Sequence, residues 1–176
     1  SFRDFLAGKL PALPGAHPTL DDWCDHLTTA FPEVRLKQYL EMRGADGGPW
    51  RKLCALPALW VGLLYDNAIL EAAWNLVRDW RMEERLQLRI DAPKLGLNAM
   101  IRNRSLQSIA LEVLEMSSSG LTSRHQLGVS GENETGFLET LFSIAQSGIT
   151  PAEKKLALYH GRWNGSVDPV FKEAAY

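Results

Sequence analysis

Between Val34 and Arg43 apolar and polar residues alternate: Val34, Leu36, Leu40 and Met42 are interleaved with Arg35, Lys37, Tyr39, Glu41 and Arg43. A period of two predicts one strand with an apolar face and a highly charged face, broken only by Gln38 on the apolar side. A flexible turn, Gly44-Ala-Asp-Gly-Gly48, follows it. Upstream, residues 1–18 carry Pro11, Pro14, Gly15 and Pro18 and read as a short amphipathic turn and an extended arm. Thr19 offers an N-cap hydroxyl, with Asp21 and Asp22 where carboxylates suit the helix dipole, so a helix is expected over 20–28. Phe31-Pro32 stops it, because a residue before proline avoids the helical region.

From Pro49 onward the spacing is helical. Trp50 to Tyr65 is apolar on nearly every side and contains Pro57, which predicts a kinked, deeply buried helix. Asp66 can cap a helix whose Ile69, Leu70, Ala73, Trp74, Val77 and Trp80 recur at helical spacing. Another helix is expected over 81–90, ended by Pro93, and Leu106, Ile109, Ala110, Val113 and Leu114 mark the next stripe. The run 117–132, with Ser117-Ser-Ser-Gly120 and Gly128 to Gly131, has the composition of a mobile polar loop. A helix around 137–146 should end at Gly148. Thr150-Pro-Ala-Glu153 is a capping box with proline at the first helical position. A last short helix is expected to begin at Asp168-Pro169. The fold class is therefore mainly α with one or a few strands, in a single domain spanning 1–176: an arm, the strand 34–43 and a helical part 49–176.

With 45% hydrophobic residues the chain can fill a core, and a net charge of −2 leaves no basic excess for a nucleic-acid backbone. The longest apolar run, Cys54 to Tyr65, is too short for a bilayer span of about 20 residues, so no membrane is expected. No secretory signal opens the sequence, and its first residue is not methionine, as in a fragment or a processed product. Cys24 and Cys54 form no CxxC pair; two free, buried thiols in a reducing cytosol is the plainer reading, and a redox-sensitive disulfide the other. A cytoplasmic location follows from the plainer one.

The charged face of the strand is where chemistry is expected. A solvated outer face would also be charged, but this one holds Arg35, Lys37, Glu41 and Arg43 with little serine or threonine filler. Two positions apart on one strand, Glu41 and Arg43 point the same way about 7 Å apart, a spacing suited to Mg²⁺ and a transferring phosphoryl group. Arg35 and Lys37 extend the positive surface. The glycines at 44–48 lack the Gly-Lys-Ser/Thr ending of a P-loop. His26 reads as structural, His17, His125 and His160 share no zinc-ligand spacing, and the tryptophans, Trp60, Trp74, Trp80 and Trp163 among them, read as core or packing residues.

The stretch 26–66, through Phe31-Pro-Glu-Val-Arg-Leu-Lys-Gln-Tyr-Leu-Glu-Met-Arg-Gly-Ala-Asp-Gly-Gly-Pro-Trp50, resembles the signature of plant and proteobacterial glutamate–cysteine ligases. So do Gly148-Ile-Thr-Pro-Ala-Glu-Lys-Lys-Leu-Ala-Leu-Tyr-His-Gly-Arg-Trp-Asn-Gly165 and Val167-Asp-Pro-Val-Phe-Lys-Glu173. The resemblance implies a glutamine-synthetase-like fold, of which this is the C-terminal helical part. It also implies Mg²⁺, with ATP, L-glutamate and L-cysteine as substrates, in the first step of glutathione synthesis. In the wider superfamily an Ile/Leu-Glu-x-Arg strand supplies a metal-binding glutamate and a phosphate-binding arginine, which Leu40-Glu41-Met42-Arg43 matches. Glu41 is thereby assigned to the metal, and Arg43 and Arg35 to catalysis. Lys37, Asp46, Trp50 and Arg51 are assigned to nucleotide or substrate contacts.

Such ligases are more than twice as long. The missing N-terminal part is therefore an expected partner, a homo-oligomer is left open, and the isolated chain is expected to lack ligase activity. One unpaired charged strand would have to pair with another copy or be covered by helices. The competing reading is a non-catalytic helical scaffold that retains the family's C-terminal sequence.

Overall fold

The computed structural model describes residues 1–129 and 131–175. Helices dominate and the strands form two small antiparallel hairpins, so the mainly-α expectation holds. The chain divides into two compact units, Ser1–Asp46 and Gly47–Tyr176, each described by itself.

In the first unit, α1 (Phe2–Leu6) and α2 (Leu20–Thr28) each start with a reciprocal capping box, Ser1 with Asp4 and Thr19 with Asp22. Each box satisfies orphan backbone donors at its helix start. The Phe2 ring stacks on His26 at 4.7 Å and meets Trp23 edge-on at 5.0 Å, joining α1 to α2. His26 thus has the structural role its sequence context suggested. Cys24 departs from expectation: it is exposed, while Cys54 is half-buried, and both are free thiols.

The segment 34–43 is not one strand. It folds back on itself as β1 (Val34–Leu36) and β2 (Leu40–Met42), with Val34 opposite Met42, Arg35 opposite Glu41 and Leu36 opposite Leu40. The reversal falls at Gln38, the residue that broke the alternation. The Lys37 amide donates to the Tyr39 carbonyl at 2.9 Å, and the Arg43 amide to Glu33 at 2.8 Å. Self-pairing satisfies the ladder groups on the facing edges of the two strands within the chain itself. The apolar face is not buried either: Leu36 is 80% exposed, as suits a two-stranded ribbon too narrow to build a core.

The second unit centres on α3 (Trp50–Leu64) and α6 (Leu106–Ser123). Against them pack α4 (Asn67–Val77), capped by Asp66, and α7 (Glu139–Ser147) with the 3₁₀ turn Glu134–Leu138 before it. The core is Ala58, Leu114, Leu121, Leu138 and Ala145, surrounded by Leu59, Val61, Ala110, Leu111, Leu141 and Phe142. Gly148 ends α7 in the left-handed conformation at φ 68°, and Thr150 and Glu153 form the expected box on α8 (Pro151–His160). The chain closes with α9 (Val170–Glu173).

The serine- and glycine-rich run is the main departure. Ser117 to Gly120 is no loop but part of α6, with Ser117 and Gly120 on its buried face against Gly62 of α3. A methyl group on Gly120 would stand 1.9 Å from the Gly62 carbonyl oxygen, and one on Gly62 would stand 2.3 Å from Ser117. Ser117, fully buried, donates its hydroxyl to the Leu59 carbonyl at 3.0 Å. Small residues are selected here because the two backbones nearly touch, a reason that composition alone does not reveal.

Two further differences concern residues 80–105. The helix α5 (Met82–Leu95) passes through Pro93 and ends at Gly96, φ 55°. A hairpin, β3 (Met100–Ile101) and β4 (Arg104–Ser105), then turns through Arg102 and Asn103, both at positive φ. Arg102 donates to Glu84 Oε1 at 2.9 Å and to the Asp79 carbonyl, which fixes this turn against the start of α5. That bond, first, and the Arg81 amide hold Glu84 down to about 2.

The helical stripes are less buried than their periodicity implies. On α4, Trp74 is 57% exposed and no residue is buried; on α3, Trp50 and Leu53 are exposed. Of the tryptophans only Trp163 is buried. Among the described residues no single helix is long and apolar enough to cross a membrane.

The α3–α6 crossing makes a direct prediction. Gly120→Ala should destabilise the second unit by about 1–3 kcal/mol or more, read as a lower urea midpoint, because the methyl forces the helices apart. Gly136→Ala, where a methyl meets nothing within 4 Å, should stay within ~0.5 kcal/mol. Equal midpoints would show that the crossing does not hold the unit.

Candidate active site

Five of the seven residues singled out from the sequence, Arg35, Lys37, Glu41, Arg43 and Asp46, lie in the first unit. The β1–β2 hairpin brings three of them into contact. Cross-strand pairing sets Arg35 opposite Glu41, and Arg35 Nε donates to Glu41 Oε2 at 2.7 Å. Arg43 Nε stands 3.6 Å from the same oxygen, an ion pair longer than a normal hydrogen bond. One carboxylate therefore sits between two guanidiniums, and the group as a whole keeps a positive excess. Glu41 and Arg43 do point the same way, although by a different route from the single strand expected.

Lys37 occupies the reversal between the strands, where its charge adds to the field at Glu41. Asp46 is exposed in the irregular segment after β2. Trp50 and Arg51, also exposed, open α3 in the second unit. The glycines at 44, 47 and 48 adopt no positive φ, and a methyl on Gly44 would make only ordinary contact with Glu33, at 3.9 Å. Gly48, by contrast, is buried, and a methyl there would stand 2.9 Å from the Lys52 side chain.

Two residues near the hairpin were not read as part of the site. Phe31 places its ring under the Arg43 guanidinium, 5.2 Å from ring centroid to Cζ. Glu33 accepts the Arg43 amide through its carbonyl. Phe31 had served only as a helix stop, and an aromatic three positions before a strand gives no local signal that its ring meets a cation twelve residues beyond it. Arg43 Nη1 is enclosed and has no hydrogen-bond acceptor.

The Glu41 carboxyl is held below its ordinary value, first by the hydrogen bond from Arg35; partial desolvation opposes this, and the charges of Arg35, Lys37 and Arg43 reinforce it. A lowered carboxylate pKa stabilises the fold above the ordinary value, and that contribution is lost as pH falls through the lowered one. Among the described residues no cluster of three or more His, Cys, Asp or Glu is placed to hold a metal ion. Glu41 is the carboxylate of this hairpin, and Arg35 already donates to it.

A carboxyl-carbon NMR titration should find Glu41 below its ordinary 4.5, and Arg35→Ala should raise the midpoint. A midpoint at or above 4.5 in the unaltered protein would mean that the Arg35 bond does not form in solution.

Comparison with known proteins agrees with the resemblance noted from the sequence. Residues 7–173 match glutamate–cysteine ligase family 2. The chain is 54% identical over all its 176 residues to the chloroplastic glutamate–cysteine ligase of Solanum lycopersicum, covering 32% of that protein. The chloroplastic enzymes of Nicotiana tabacum and Arabidopsis thaliana are likewise 54% identical, each covered over 33% of its length. The chain therefore spans about a third of the curated relatives it matches. The expected cytoplasmic location is overturned by these names, which point to the plastid; cysteine usage reports a redox environment and carries no address. A match along nearly its whole length, together with this identity, establishes that the chain belongs to the glutamate–cysteine ligase family.

Proposed function

We propose that the complete protein joins the γ-carboxyl of L-glutamate to the amine of L-cysteine using ATP, and that residues 1–176 form the C-terminal part of that enzyme as a single domain. The observation that carries this reading is Glu41 held between Arg35 and Arg43 on one face of the β1–β2 hairpin, within a sequence 54% identical to named ligases. We read the hairpin as two strands of the antiparallel active-site sheet of a glutamine-synthetase-like fold. The open apolar surfaces at Leu36, Leu40, Trp50 and Trp74 support the presence of further chain against them. The relatives' names favour the plastid as its compartment.

In this reading the γ-phosphoryl group of ATP passes to the glutamate γ-carboxylate, giving an acyl phosphate and ADP. The cysteine amine then attacks the acyl carbon and phosphate leaves. Mg²⁺, when bound, neutralises phosphate oxygens, with Glu41 as one ligand and the other ligands supplied from outside this chain. Arg43 presents guanidinium donors to the transferring phosphoryl group, whose charge is spread over its oxygens. Arg35 keeps Glu41 ionised and oriented. Within the first unit, Lys37 and Asp46 are assigned to nucleotide and substrate contacts.

With ATP, Mg²⁺, glutamate and cysteine, the full-length protein should release phosphate in a cysteine-dependent manner. Arg43→Ala should lower its turnover ~10²–10³-fold, the usual loss for a preorganised electrostatic partner. Residues 1–176 alone should show no turnover and no tight ATP binding by calorimetry. Absence of cysteine-dependent phosphate from the full-length protein would leave the non-catalytic helical scaffold as the better reading.

A further inference from the structure

The two arginines beside Glu41 are held differently. Arg35 commits its Nε to Glu41 at 2.7 Å, whereas Arg43 Nε stands at 3.6 Å and does not make that bond. What holds Arg43 instead is the Phe31 ring, 5.2 Å from Cζ and within the ~6 Å reach of a cation–π contact. The same short segment anchors its backbone, since the Arg43 amide donates to Glu33. Ring and guanidinium are thereby brought to one place by two contacts with neighbouring residues.

Stacking engages the flat face of a guanidinium and leaves its in-plane N–H groups for oxygen acceptors. An aromatic hydrocarbon also has no polar atom to compete for those donors. Arg43 Nη1 is enclosed and has no acceptor among the described residues of this chain, while the guanidinium as a whole stays partly exposed. Phe31 itself is 72% exposed, so its contribution to the core of this unit is small. We propose that Phe31 is a positioning residue. Its ring fixes the plane of the Arg43 guanidinium, so that the unused N–H groups meet the transferring phosphoryl group already oriented. The proposal rests on the reading of Arg43 given above.

The test uses the full-length enzyme carrying Phe31→Leu, Phe31→Tyr, Arg43→Ala, and Phe31→Leu combined with Arg43→Ala. Leucine keeps apolar bulk without a ring face; tyrosine keeps the face. Phe31→Leu should lower kcat about two- to fivefold, the range for an exposed cation–π contact, with KM for glutamate unchanged. Phe31→Tyr should restore the rate, and the double variant should be no slower than Arg43→Ala. Independently of turnover, the Arg43 Nε–H resonance of the substrate-free enzyme should carry a ring-current shift that Phe31→Leu removes and Phe31→Tyr retains. Wild-type kcat in Phe31→Leu, no advantage of tyrosine over leucine, or simply additive losses would each overturn the proposal. Wild-type turnover in Arg43→Ala, with the ring-current shift still present in the unaltered enzyme, would instead remove the role of Arg43 on which the proposal stands.

Discussion

The close approach of α3 and α6 is the constraint on which the larger unit depends. Gly62 and Gly120 meet with no room for a side chain, and Ser117 turns its hydroxyl into the Leu59 carbonyl instead of leaving it unsatisfied. Close backbone approach brings Ala58 of α3 and Leu114 and Leu121 of α6 into one cluster, with Leu138 and Ala145 joining from the elements that follow. The start of α4 is tied into the same arrangement, because Asp66 caps its first turn and also accepts from Ser123 at the end of α6. Interiors this dense deform little, so a helix pair set at van der Waals distance gives the remaining elements a stiff reference.

The hairpin depends on a different kind of contact. Its apolar face is open and its strands are three residues each, so burial contributes little to it. What organises it is the ladder and the charge pairing of Arg35 with Glu41 across it. That pairing is the weak kind, half-exposed and screened by salt, and by itself is worth little stability. Its value is geometric. A carboxylate shared unequally by two guanidiniums leaves one of them available, which is the asymmetry a phosphoryl-transfer site can use.

Family membership and geometry bear on separate questions. Identity of 54% along the whole chain establishes the family, yet the chain spans only about a third of the length of those relatives. The hairpin supplies one carboxylate and two arginines, and among the described residues no further metal-ligating cluster accompanies them.

Local rules carried much of the secondary structure. Thr19, Asp66 and Thr150 cap helices in the structure because a cap is decided within three residues of the chain, and Gly148 ends α7 for the same reason. The family, too, was legible from the run around Leu40-Glu41-Met42-Arg43, and so was the grouping of Arg35, Glu41 and Arg43 on one face. The tertiary structure alone decided the rest. Alternation cannot tell one long strand from two paired short ones, because both keep odd and even residues on opposite faces; only pairing across Gln38 settled it. Serine and glycine at 117–120 have the composition of a loop, and the reason for Ser117 and Gly120 is visible only once Gly62 is seen to lie opposite them. Phe31 joined the site through a fold-back that brings it under Arg43. The sequence by itself determined caps, periods and kinship, since these depend on neighbours along the chain. Contacts between distant segments depend on how those segments meet, and that was fixed only when the chain folded.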